Sequence, residues 1–520
     1  MYILSTSQMK KADQYTIDNL GIPSLVLMET AGRSVAYRVI ENYTVDNETV
    51  LLISGKGNNG GDGMVAARYL HQAGVNIEIV ILAKPEDLSP DCKKQLDIIN
   101  KLKITPHFVT SEDDLNQLDT IIQHSQLIID AIFGTGLKGS LSSFYKHIIS
   151  AINNSCIPLV SVDIPSGING DSGQIVDQAV TADITITFGA IKPGHFKIPG
   201  RMHSGNIWVT DISIPAEIIA EMSEYQLITY DLVFPLVNNR DPLGHKGSFG
   251  KILIVGGCKG MTGAPSLAAA AAYRSGAGLV TLALPQEILS SAQFCPEAVS
   301  IELNQGGYFN QRGADKIIEI QKQYDALIIG PGLGRAEETQ QAVVKLLEHL
   351  EIPAVVDADG LYPLSDNPDL INGKTIVLTP HWGEMSGLTG LTIDEIRTHP
   401  WETAAEFAKK HKVTVHLKGP LGQVADGANA KMFISPFIEN SLATAGSGDV
   451  LSGIMGSFLA GNFSTARSAC AAVFIHGLSG RFAGQEYSST SVTSLDLIDF
   501  IPSAICSILE QDQESFFNLC

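Results

Sequence analysis

The chain has 520 residues, 44% of them hydrophobic and 17% charged, so it can fill large cores and is neither a disulfide-stapled miniature nor disordered in bulk. Lys and Arg number 35 against 55 Asp and Glu, a net charge of −20. With no local basic patch to offset that field, neither nucleic acid nor an acidic membrane is expected as a partner.

In chain order, the first forty residues read as helix. Pro23 suits a first helical turn, and Leu27, Met28, Ala31, Val35 and Val39 recur at three- and four-residue spacing. Apolar runs at 50–54, 77–82, 127–130, 158–163 and 184–188 predict strands buried on both faces, the mark of a parallel sheet flanked by helices. A second series starts with KILIV at 251–255 and continues through LVTLAL, ALIIG, AVVDA, TIVLT and VTVHL. Residues 222–245 fit neither series. This places a domain boundary near residue 230 and predicts two three-layer α/β domains, 1–220 and 230–510. Seven cysteines without a CxxC pair, no signal-peptide pattern and no apolar run of membrane length predict a soluble, cytoplasmic protein.

In the first half, a strand enters the loop Gly55-Lys56-Gly57-Asn58-Asn59-Gly60-Gly61-Asp62-Gly63 and a helix leaves it. Successive backbone N–H groups at a helix start make a phosphate site, although any tight strand-to-helix turn can be glycine-rich. The loop lacks the lysine-serine ending of a nucleoside triphosphatase P-loop. Two further loops follow predicted strands: Asp130 precedes AIFGTGL, and Asp163 precedes Ile164-Pro165-Ser166-Gly167. Ligands of open α/β sheets bind at the carboxyl ends of strands, so these loops should converge.

NNGGDG, DAIFGTGL and DIPSG, in this order and spacing, closely resemble the N-terminal YjeF family of NAD(P)H-hydrate epimerases, over about residues 1–215. The resemblance implies a Rossmann-like domain in which Asn59, Asp130 and Ser166 hold a potassium ion. A hard cation of this kind prefers such neutral and anionic oxygens. It further implies that Asn58, Asn59, Gly60, Gly61 and Asp62, together with Gly134, Thr135, Gly136, Leu137, Lys138, Gly139 and Ser140, line the nucleotide. Asp163 would touch the hydrated nicotinamide and act as acid/base at C6; the bland alternative is that it caps its own loop.

The second half carries GHKGSFGKILIVGG, a helix of small residues from Ala264 to Tyr273, Gly330-Pro331-Gly332-Leu333-Gly334, Asp357 and Asp359 in DADGL, His381 and Glu384 in TPHWGEM, and Lys418-Gly419-Pro420-Leu421-Gly422. The alanines read equally well as a helix packed between layers. AGSGDVLSG offers N–H groups at Ala445 to Gly448, with Asp449 set to take a proton from a hydroxyl. Alternatively, Asp449 is an acid favoured in a first helical turn.

These blocks closely resemble the C-terminal YjeF family, ADP-dependent (S)-NAD(P)H-hydrate dehydratases of ribokinase-like fold, over about residues 235–505. By position the resemblance implies that Ala264, Gly332, His381 and Asp449 contact the hydrated dinucleotide. Lys418, Gly419, Pro420, Leu421, Gly422 and Gly448 would hold ADP or AMP. Trp382 stands where proline is usual, and Gly422 where threonine is common. The chain is thus expected to be a bifunctional repair enzyme, an isomerase joined to a lyase. It would epimerise NADHX and NADPHX and dehydrate the (S) epimer with ADP and Mg2+, and a homo-oligomer is expected. The alternatives are a sugar or thiazole kinase, and a first domain that only binds a ligand or partner.

Overall fold

A computed structural model describes residues 1–510 apart from Asp46, Lys138 and Asn239. The chain forms two units, the second beginning at Tyr225. In the first, parallel strands run in the order His107–Phe108, Asn76–Ile81, Thr49–Ser54, Leu127–Ala131, Leu159–Val162, Ile184–Phe188 and Asn206–Thr210. Strand side chains alternate between faces. Val50 and Leu52 accordingly join one core with the helices Ser24–Asn42, Asn58–Gln72 and Pro90–Lys101, while Leu51 and Ile53 join another with Leu115–Gln123 and Ser143–Asn154. Burial on both faces explains why these strands read as unbroken apolar runs.

The helical start is two helices, Thr6–Asp18 and Ser24–Asn42, rather than one. Gly21, at φ +73°, turns the chain between them, and Pro23 caps the second from outside its first turn.

In the second unit the parallel order is Val299–Glu302, Leu279–Leu284, Lys251–Val255, Ala326–Ile329, Ala354–Val356, Ile376–Leu378 and Thr414–Leu417. Gln423–Asp426 and Lys431–Ile434 add an antiparallel hairpin, and Tyr225–Leu227 pairs parallel to its outer strand. The apolar search missed the hairpin, Tyr225–Leu227 and Val299–Glu302 because they are short or largely exposed. The alanines of the helix Ala264–Arg274 do pack between layers: Ala268, Ala269, Ala271 and Ala272 are fully buried. A Cβ on Gly453 of the facing helix Ser447–Ala460 would lie 2.1 Å from the Ala268 carbonyl. Two small faces therefore bring these backbones together and set the start of the second helix beside the sheet's carboxyl end.

No helix among the described residues is long and apolar enough to cross a membrane.

Gly330 ends the strand Ala326–Ile329 at φ +128°, and a Cβ there would stand 1.7 Å from the Asp357 carbonyl. Gly330→Ala combines overpacking with a backbone conformation foreign to L-residues. It should destabilise the second unit by at least about 2 kcal/mol, read as a lowered midpoint in urea unfolding.

Candidate active sites

In the first unit, three loops at strand ends meet around a cavity of about 900 Å3. Asn58, Asn59, Asp62, Gly134, Thr135, Gly136, Leu137 and Asp163 all line it. Gly60 and Gly61 face away. A Cβ on Gly60 would meet the Gly55 carbonyl at 2.2 Å, and one on Gly61 the Met28 methyl at 2.6 Å, so both glycines let the helix Asn58–Gln72 seat closely. Gly139 and Ser140 are exposed and do not line the cavity, and Lys138 lies outside the described residues.

Asp163 adopts the left-handed conformation at φ +66°, uncommon for a non-glycine residue. Its N–H donates to the Ile186 carbonyl at 2.7 Å, and its own carbonyl accepts from His195 Nε2 at 2.9 Å. The proton sits on that nitrogen because Nδ1 accepts from the Lys192 N–H at 3.2 Å. Burial first, then the nearby Lys192 ammonium, push His195 down to about 3, so it is a neutral brace.

Lys192 is 1% exposed. Its ammonium donates to Asp163 Oδ1 at 2.6 Å, Thr187 Oγ1 at 2.9 Å and the Phe188 carbonyl at 3.1 Å, which uses all three protons. Thr187 Oγ1 donates to the same Asp163 oxygen at 3.0 Å, so Oδ2 is left for a ligand. Burial pushes the Asp163 carboxyl up, but the Lys192 charge and its hydrogen bond outweigh it and hold the group below the ordinary aspartate value.

Asp130 is fully buried. Its oxygens accept from Ser166 Oγ at 2.6 Å, the Ser166 N–H at 2.9 Å, Ser161 Oγ at 2.9 Å and the Ile132 N–H at 3.2 Å. Burial raises its carboxyl above the ordinary value despite these donors. Asn59 Nδ2 is buried without a partner among the described residues. An amide can present its oxygen instead by turning over, so an orphaned amide, a hydroxyl and a desolvated carboxylate form a donor set that fits a potassium ion.

In the second unit, the Gly257 N–H donates to the Pro331 carbonyl at 2.8 Å, joining the first glycine loop to Gly330–Gly334. A Cβ on Gly332 would stand 3.2 Å from Ala264 Cβ, so these two expected substrate contacts are neighbours. Lys418 Nζ donates to Asp357 Oδ1 at 2.7 Å and lies 3.8 Å from Glu384 Oε2. Ser452 Oγ donates to Asp357 Oδ2 at 2.6 Å. A Cβ on Gly448 would be 3.7 Å from Lys418 Nζ, so the lysine loop and the helix start at Ser447 face each other.

Asp449 lies in the first turn of that helix. Burial first and then Asp357 push its carboxyl up to about 7, with Lys418 opposing. His381 caps the helix Trp382–Thr389, its Nδ1 accepting from the Glu384 N–H at 3.1 Å. It pairs with Lys418 through an isolated parallel bridge. Pro420 is exposed and Leu421 is 4% exposed, so Leu421 can offer a ligand only its backbone.

Residues 24–194 match the family model "YjeF-related protein N-terminus", and 252–503 match "NAD(P)H-hydrate dehydratase". A bifunctional NAD(P)H-hydrate repair enzyme of Moorella thermoacetica is 35% identical over 98% of this chain and 98% of its own length. Another, from Thermofilum pendens, is 35% identical over 99% and 98%. The chain belongs to the bifunctional NAD(P)H-hydrate repair enzyme family. A solved ADP/ATP-dependent NAD(P)H-hydrate dehydratase of Bacillus subtilis, crystallised with ATP and Mg2+, is 26% identical and covers 54% of this chain and 98% of its own, with a TM-score of 0.47. The kinase alternative is not favoured, because relatives matching along the whole chain are repair enzymes.

Both departures of this repair-family chain have a local setting. A Cβ on Gly422 would lie 2.9 Å from His416 Cε1 and 3.4 Å from Val473 Cγ1, so the buried His416 occupies the room a threonine needs. Trp382 lays its indole on Gly419, whose Cβ would be 3.1 Å from the indole nitrogen. Motif reading missed Lys192 altogether and gave Asp357 and Ser452 no role. The signal for Lys192 is a lysine in a Gly/Pro-rich loop just past a strand, in FGAIKPGH.

Lys192→Met leaves Asp163 buried without its cation. Breaking such a pair costs about 3–5 kcal/mol, expected as a lowered unfolding midpoint of the first unit. Because the folded Asp163 value is depressed in the wild type, the stabilisation its pair supplies should be present above pH 3.8, the ordinary aspartate value, and lost as pH falls through the lower folded value.

Proposed function

We propose that residues 1–220 interconvert the (R) and (S) epimers of NADHX and NADPHX, and that residues 230–510 dehydrate the (S) epimer with ADP to give NADH or NADPH, AMP and phosphate. The observation that most supports this is the presence, in one chain, of the cavity around Asp163 and the lysine–carboxylate cluster around Asp449. Hydration at C6 creates two epimers. A stereospecific dehydratase clears one, and an epimerase on the same chain supplies it with the other.

In the first site the Asp163 carboxylate takes the C6 hydroxyl proton as the C6–N1 bond opens. Lys192 and Thr187 hold its Oδ1 and leave Oδ2 for that contact. Asn58, Asn59, Asp62 and Gly134 to Leu137 support the dinucleotide around the cavity. A potassium ion held by Asn59, Asp130 and Ser166 would supply positive charge near the substrate's phosphates.

In the second site Asp449 takes the C6 hydroxyl proton as that oxygen attacks the β-phosphate of ADP. Lys418 and the N–H groups around Gly448 offset the charge on the transferring group, where positioning and electrostatics dominate. The C6–O bond then breaks with phosphate as leaving group, the nitrogen lone pair assisting, and loss of a C5 proton restores the dihydronicotinamide. Mg2+ would enter with the nucleotide phosphates, and no side chain is assigned to it. A homo-oligomer accords with the exposed stripe Val26, Tyr37 and Ile40 on the helix Ser24–Asn42.

Mixed epimers incubated with ADP and resolved by chromatography test the scheme. Wild type should consume both, and without a nucleotide it should consume neither. Asp163→Asn should consume only the (S) form at the enzymatic rate. Asp449→Asn should lose dehydration by about 10²-fold or more while still exchanging epimers. Consumption of both epimers by Asp163→Asn at the wild-type rate would sink the assignment of the first site.

Asp449 must be ionised to accept the proton. With its carboxyl at about 7, kcat/KM for dehydration should rise with pH through that value and level off above it.

A further inference from the structure

The helix Thr6–Asp18 precedes residue 24, where the family-model match begins, yet it walls the epimerase cavity with Thr6, Ser7, Met9, Lys10, Asp13 and Ile17. It is firmly seated. The Thr6 N–H and Oγ1 donate to the two Asp171 oxygens at 2.7 and 2.6 Å, Ser5 and Gln8 close a capping box, and Met9 and Ala12 are buried.

Three carboxyls, Asp13, Asp62 and Asp163, share this cavity with the Lys192 ammonium. That ammonium is committed to Asp163 Oδ1, Thr187 and the Phe188 carbonyl. Among the described residues, neither Asp13 nor Asp62 makes a hydrogen bond or ion pair through its carboxyl. We propose that Asp13 is a second catalytic residue of the epimerase, giving its proton to the ring nitrogen while Asp163 takes the proton of the C6 hydroxyl. This rests on the reading of the cavity as the epimerase site.

The step balances. The O–H bond breaks to Asp163, the C6–N1 pair moves to nitrogen, and nitrogen receives the Asp13 proton. The products are a C6 aldehyde and an enamine N–H. Rotation about C5–C6 presents the other carbonyl face, and both protons return as the ring closes. The cavity thus needs one ionised and one protonated carboxyl at once, and groups with separated environments provide this.

Asp13 suits the second role better than Asp62. Burial first, with Asp163 adding to it and Lys192 opposing, pushes Asp13 up to about 6. Asp62, pushed up by burial and by both other carboxyls, is held well above the ordinary value. A general acid works best when its pKa lies near the working pH. The other charged groups lining the cavity are Lys10 on the same helix, Lys56 in the glycine loop and Asp91 at the start of the helix Pro90–Lys101. His195 behind Asp163 is neutral. Glu217 and Glu221, on the helix Ala216–Met222 that also packs on Thr6–Asp18, do not line the cavity.

The test is epimer exchange by the full chain without ADP, with the uncatalysed rate subtracted. Asp13→Asn should lower kcat by about 10²-fold or more with little change in KM. The alkaline limb of kcat/KM near pH 6, present in wild type, should vanish. Asp13→Ala should recover rate when formic acid is added, and urea unfolding of both variants establishes that they fold. Exchange within threefold of wild type in Asp13→Asn, with Asp163→Asn inactive, overturns the proposal. A loss of rate with an unchanged pH profile and no formate rescue overturns it too, by making Asp13 structural. Full activity in both Asp13→Asn and Asp163→Asn would instead refute the underlying reading of the cavity.

Discussion

A lysine ammonium removed from water stays charged only if an anion and further acceptors replace its hydration. Each unit of this chain is organised around such a replacement: Lys192 with Asp163 at 2.6 Å in the first, and Lys418 with Asp357 at 2.7 Å in the second. In both, the aspartate stands at the carboxyl end of a parallel strand; Lys192 comes from the loop after the adjacent strand, whereas Lys418 comes from the loop two strands away. The pair therefore ties two strand-end loops together in each unit.

The two pairs leave different oxygens free. In the first unit the lysine and a threonine share one Asp163 oxygen, so the paired aspartate can itself meet a substrate. In the second, Lys418 and Ser452 take one Asp357 oxygen each, and a separate residue, Asp449, is the one proposed to move protons. On the proposed reading, one kind of charge pair thus yields a reactive carboxylate in the first unit and a supporting one in the second.

Much of this was legible in the sequence. Buried parallel strands are apolar throughout, so the central strands of both sheets stood out, and glycine loops after them marked the ligand side. Edge strands such as Val299–Glu302 bury little, and nothing in their composition separates them from loop. Within the candidate sites, motif positions pointed to Asn59, Asp130, Asp163, Lys418 and Asp449, but not to the partners that set their charge. Lys192 and Asp13 arrive from segments distant in sequence, and only folding brings them to the cavity. Gly60 and Gly61 lie in a ligand motif and also let the helix seat closely, a packing role the motif did not reveal.

The Lys418–Asp357 contact also bears on discrimination. The Lys418 ammonium donates to a carboxylate that is 1% exposed and further held by Ser452, and its own side chain stays 22% exposed. An anion that drew the ammonium away from Asp357 would have to offset the loss of that contact. On the proposed reading, a nucleotide that also engaged the Gly419–Gly422 backbone and the helix start at Ser447 would bring contacts that a free phosphate lacks. On that reading the internal carboxylate would favour larger ligands that bind at several points over small anions.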